Sequence, residues 1–223
     1  MAELAVGGPG GIDVLALGGN WVAISDSLTP KQNVVHTPGA TGDVILSDTW
    51  GSDTEGTVTY RYNAETNISD DASLPLVGST TNSYKVTEMK VDYSDTERPT
   101  VVFTIHNHTA NGHDADGATF TPTIDLPGTF GCPELLTNSN STTCAPKKAS
   151  YTIKAEHVDV NDGDGDHLVG ADYGGMETLS LDHVGTPSLT TTGWVVTSTA
   201  TSRSNTEFTT VSTTLEKTLT RDA

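Results

Sequence analysis

An all-β protein built from two related modules is the fold class that this sequence predicts, and three observations predict it. The chain contains a stretch of itself twice. Residues 84–108 lie over residues 194–218 without a gap, at an offset of 110, with 8 identical positions that include Val86/Val196, Thr87/Thr197, Glu97/Glu207, Thr100/Thr210, Val101/Val211 and Thr104/Thr214. Hydrophobic residues are 34% of the 223 and aromatics 6%, so any core is thin. A strand needs only alternate residues to be apolar, whereas a helix needs a broader apolar stripe. The apolar runs are short and divided by Gly, Pro and Asp, with no helical period sustained beyond about two turns.

Taken in order, residues 1–20 hold Gly-Gly-Pro-Gly-Gly and Leu-Gly-Gly around a short apolar run, and read as an extended Gly-rich N-terminal arm that packs on something. Residues 21–109 form the first β-sandwich or barrel module. Its strands are expected at 21–27, 33–36, 43–50 and 57–63, with a Pro-Gly turn near 38–42 and a polar loop or short helical turn over 64–83. A long hairpin follows, with strands 84–93 and 100–109. Alternation puts Val101, Phe103 and Ile105 on one face and Thr100, Val102 and Thr104 on the other. Ten residues span about 33 Å, long enough to reach beyond the parent domain.

Residues 110–148 read as a polar connector carrying both cysteines, and residues 149–223 as the second module. Its expected strands are 151–160, 166–173 (which echoes 43–50 after a shared Gly-Asp), 177–183, and the repeated hairpin 194–203 and 209–219. Tyr84, Val86, Val101, Phe103, Ile105, Trp194, Val196, Val211 and Leu215 are the expected assembly positions on the two hairpins. A long hairpin cannot satisfy its edge hydrogen bonds alone, and closing a ring removes those edges.

The formal net charge is −18, which argues against specific nucleic-acid binding and against an anionic membrane surface. No opening segment has the basic start and apolar run of a signal peptide, and no stretch approaches the length of a membrane span, so synthesis in the cytoplasm is expected. Cys132 and Cys144 bracket a loop short enough for a disulfide. In a cytoplasmic product they start reduced, which leaves a bond formed after release and two unpaired thiols as the alternatives.

Two constellations could hold a metal. His106 and His108 project from one face near a strand end, a spacing that suits a transition metal. The repeat places Glu216 and Thr218 at the corresponding positions, so the shared fold does not require imidazole there. Asp162, Asp164 and Asp166 resemble a calcium loop, but the EF-hand template fails, with His167 and Tyr173 where Gly and Glu are required. No other cofactor is expected. Gly-x-Ser-x-Gly, His-Glu-x-x-His and the phosphate-binding loop are all absent from the sequence, and an enzyme is not expected.

The hairpin carries a resemblance. Trp194-Val-Val-Thr-Ser, Ser204-Asn-Thr-Glu-Phe and Val211-Ser-Thr-Thr-Leu-Glu-Lys look like the closing hairpin of the tail-tube proteins of tailed bacteriophages, archaeal viruses and related injection machines, and residues 84–108 resemble the same element. That resemblance implies a virion structural protein. Long hairpins from a ring of copies would join into one β-barrel around a DNA-conducting lumen, and a duplicated chain would form a pseudo-sixfold ring from three copies. It also implies a homo-oligomer in contact with other virion structural proteins. An acidic, Thr/Ser-rich lumen would let DNA pass without binding. The alternatives are a capsid or capsid-decorating protein of jelly-roll type, and a calcium-stiffened adhesin or filament module.

Overall fold

The computed structural model describes residues 13–38, 40, 43–108, 118–129, 145–161, 167–184, 193–203 and 209–219. The all-β class holds. Nine strands, β1 (Trp21–Pro38), β2 (Val44–Tyr62), β3 (Thr80–Thr81), β4 (Tyr84–Ser94), β5 (Thr100–His108), β6 (Ala145–Asn161), β7 (His167–Val184), β8 (Val195–Ser202) and β9 (Thr210–Thr218), are joined by loops that contain a single 3-10 turn, Ile68–Asp70, among the described residues. They form one antiparallel sheet in the order β1-β2-β5-β4-β6-β7-β9-β8, with β3 paired to the end of β4.

That order is a four-strand unit written twice. In the first half β1-β2 and β4-β5 are hairpins docked through β2 and β5; in the second, β6-β7 and β8-β9 are hairpins docked through β7 and β9. The second hairpins match at the offset of 110 in every rung: Lys85↔His106 corresponds to Val195↔Glu216, and Asp92↔Thr100 to Ser202↔Thr210. Even the bulge is repeated, at Thr87 and Thr197. Each of these threonines gives its hydroxyl to a cross-strand carbonyl, of Thr104 and Thr214, both at 3.3 Å. The extra residue of a bulge is left out of the ladder, and the hydroxyl bond ties it back, which explains why Thr survives in both copies.

The first hairpins match as well, at an offset of 123. The bulges after Ala23 and Thr37 recur after Pro146 and Val160. The two offsets differ by 13 residues, the amount by which the connector between the hairpins is shorter in the second half.

Strand lengths differ from expectation. The sequence suggests two short strands in the arms that become β1, β2 and β7 and one strand, 151–160, in the arm that becomes β6, but β1 and β2 run 18 and 19 residues, and β6 and β7 run 17 and 18. Pro30, Gly51 and Gly174-Gly175 lie inside strands, where bulges and an edge position absorb them. The hairpins that extend furthest are therefore these, about 60 Å per strand, rather than β4-β5, whose strands are 11 and 9 residues.

The core lies on one face of the sheet. Val58, Tyr60, Val101, Phe103, Val91, Tyr151, Ile153, Leu179 and Leu215 alternate into it, and Val14, Leu15, Ile68, Val77, Phe120 and Leu126 from the loops cover it. In the first half Trp21 packs edge-on against Tyr60 and Tyr62, with ring centroids 6.2 and 4.8 Å away. The Tyr60 hydroxyl donates to Asp13 Oδ1 (2.8 Å) and accepts from the Leu15 amide (3.1 Å), so the segment before β1 is pinned to the sheet by the same ring that fills the core. Gly56 is required by closeness: a Cβ there would lie 2.0 Å from the Ser27 carbonyl of β1.

Candidate assembly interface

The two modules meet edge to edge. β4 and β6 pair antiparallel over seven rungs, from Glu88↔Lys154 to Ser94↔Lys148. Opposite charges face each other at the first rung, and Met89, Val91 and Tyr93 meet Ile153, Tyr151 and Ala149 on the buried side. Beyond that first rung a buried ion pair crosses from β4 to β7, with Lys85 Nζ 2.9 Å from Asp172 Oδ2 and both side chains 1% exposed. A second buried charge, Glu177 on β7, ties the connector to the second module. Its carboxylate accepts from the Thr123 amide (2.6 Å), the Thr123 hydroxyl and the Tyr151 hydroxyl. Burial first, and the Glu177 charge second, hold the Tyr151 phenol protonated far above the ordinary tyrosine range.

Two strands end the sheet, β1 and β8. All eight residues of β8 are exposed, with Val195 and Val196 at 64% and 49%. These edges are not generic. β8 is the second-half counterpart of β4, and β1 is the first-half counterpart of β6, so the open strands correspond to the very pair that joins the modules. β1 also keeps three residues that β6 turns toward the uncovered face alongside β4: Ser27/Ser150, Thr29/Thr152 and Lys31/Lys154 are identical at the offset of 123.

The face opposite the core is polar. Thr57, Thr59, Thr100, Thr104, Thr152 and Ser180 are interleaved there with Arg61, Lys90 and Lys154 and with Glu88, Asp92 and Asp182. An acidic face is expected from the net charge. Instead both signs are mixed, and partners lie side by side, as in Lys90–Asp92 (2.8 Å) and Lys31–Glu55.

Of the sequence-predicted assembly residues, Val86, Val101, Phe103, Ile105, Val211 and Leu215 are buried in the core, and Tyr84 is half-buried at the start of β4. Trp194 is half-buried, its ring 5.9 Å from Lys217 Nζ, and Val196 alone of the set stands on the open edge. His106 is buried, opposite Lys85 and Glu55 in the two ladders. The His108 side chain, Asp162, Asp164, Asp166, Cys132 and Cys144 lie outside the described residues. Among the described residues no group of three His, Cys, Asp or Glu side chains could hold a metal. The edge residues of β1 escape a reading based on the hairpin repeat; extending the Gly-Asp echo backwards at its own offset of 123 reaches them.

No protein-family model and no curated protein matches this chain.

Proposed function

We propose that this protein is a self-assembling structural subunit of tail-tube type. Its chains join edge to edge into a ring whose sheet is continuous, and the rings stack into a conduit in a virion. One observation carries this reading: the sheet is a four-strand unit repeated through a β4-β6 joint, and it stops at strands equivalent to the two that make that joint. A repeat that ends on its own unused joint continues by adding the next copy, and a head-to-tail contact of this kind gives a closed ring if the rotation closes. The core-side loops form the outer wall and the Thr-rich polar face lines the bore.

A bore with mixed, locally paired charge has little net attraction for phosphate. The long β1-β2 and β6-β7 arms, with exposed Val34, Val158, Val160 and Tyr173, reach toward the adjacent ring. The protein's role is mechanical and needs no catalytic group.

Negative-stain electron microscopy of the concentrated, untagged chain tests the proposal. Rings or hollow tubes are expected, and the protomer count reports whether three duplicated chains close the ring. Closed shells would move the reading to a capsid lattice, and a monomer at high concentration would overturn it.

A further inference from the structure

We infer that the partner of the β8 edge is β1 of a second copy of this chain, and that the internal β4-β6 joint sets the register of the contact. This deepens the ring reading above and rests on it. Moving the first six rungs of the joint by the two offsets places Ser198 opposite Lys31, Thr199 opposite Pro30, Ala200 opposite Thr29, Thr201 opposite Leu28, Ser202 opposite Ser27 and Arg203 opposite Asp26.

Four features of the chain agree with that register. Ser27, Thr29 and Lys31 repeat the residues that β6 sets beside β4. Arg203 and Asp26 bring opposite charges to the same rung, where Tyr93 and Ala149 meet in the internal joint. Ser198, Ala200 and Ser202 replace Glu88, Lys90 and Asp92, so the incoming edge of β8 is small and uncharged on the uncovered face. Finally, β3 occupies the edge of β4 at Tyr84 and Lys85, whose counterparts are Trp194 and Val195, and at that end of β8 Val195 and the following Val196 are exposed. Carrying the ladder past Ser198 brings them to the level of Val34, which is 51% exposed, so three exposed valines gather at one end of the seam. Pro30 has no N–H and removes at most one bond from the seam, an edge position where proline is tolerated.

Disulfide trapping reads the register directly. Residues directly opposite in an antiparallel pair have Cβ atoms about 4.5–5.5 Å apart, and diagonal neighbours are about 7–8 Å apart, beyond disulfide reach. Two double variants, Thr29→Cys with Ala200→Cys and Leu28→Cys with Thr201→Cys, sample both kinds of rung. Lys31→Cys with Ala200→Cys is the off-register control. Mass spectrometry assigns each linkage, so the native cysteines need not be removed.

Mild oxidation of the assembled protein is expected to give a covalent ladder of chains linked at 29–200 or 28–201, with the off-register pair at least tenfold less linked. Rings in the micrographs with neither linkage, or with 31–200 predominant, would overturn the register and leave the ring reading intact. Linkage within single chains would overturn the intermolecular seam. A persistent monomer without linkage would overturn both.

Discussion

Single side chains in this protein answer to the face they occupy. Val101 is completely buried between Tyr60 on β2 and Val91 on β4. A carboxylate there has no partner, and burying an unpaired charge costs several kcal/mol. Val101→Asp is therefore expected to lose at least about 3 kcal/mol and with it any assembly, measured by chemical denaturation and size-exclusion chromatography; soluble assembled variant would refute the inward register of β5. His183 is the corresponding position to Tyr60 in the second module. Burial lowers its pKa below the ordinary histidine value, with the neighbouring Asp182 charge acting in the opposite sense. The unfolded chain then binds a proton that the folded chain refuses, between about pH 6.5 and the lower folded value. Stability should fall as pH drops from 7 toward 5, and His183→Gln should flatten that slope in melts across the range.

At the scale of elements, bulges and joints matter more than strand propensity. Thr87 and Thr197 hold equivalent bulges with equivalent bonds, so Thr87→Val is expected to cost about 1 kcal/mol, the net worth of one hydrogen bond. Thr197→Val, on the exposed edge, should cost less; a comparison of urea midpoints checks the order. The Lys85–Asp172 pair is a sharper case. Lys85→Met strands a buried carboxylate and is expected to cost about 3–5 kcal/mol, whereas Lys85→Met combined with Asp172→Leu should recover most of the loss. A double variant no better than the single one would show that the pair is not the unit of stability. The repeated β4-β5 hairpin was legible in the sequence because its rungs are local and its bulge threonine is retained. The length of β1, β2 and β7 was not, because Pro30, Gly51 and Gly174-Gly175 read as breaks when taken alone, and only the partner strand reveals an uninterrupted ladder.

For the whole molecule, net charge and open edges act against each other. A charge of −18 makes copies repel at low ionic strength. Raising salt shortens the Debye length from about 10 Å at 0.1 M to about 3 Å at 1 M. The fraction of assembled protein is therefore expected to rise with sodium chloride, followed by light scattering; assembly that falls with salt would mean that ion pairs such as Arg203 with Asp26 dominate the seam.

The all-β class, the position of the second hairpin in each half and the division of its residues into apolar and polar faces follow from the sequence by itself. Those properties live in alternation and in a gapless repeat, which any window of the chain displays. The tertiary structure decided that the two modules share one sheet, that β4 joins β6, and that β1 and β8 are left at the ends. Those facts depend on backbone hydrogen bonds between residues far apart in the chain, and a peptide N–H or C=O is the same group at every position. The candidate interface was hidden for that reason. Its residues are small and polar, and they become informative only when their counterparts are seen paired inside the same molecule.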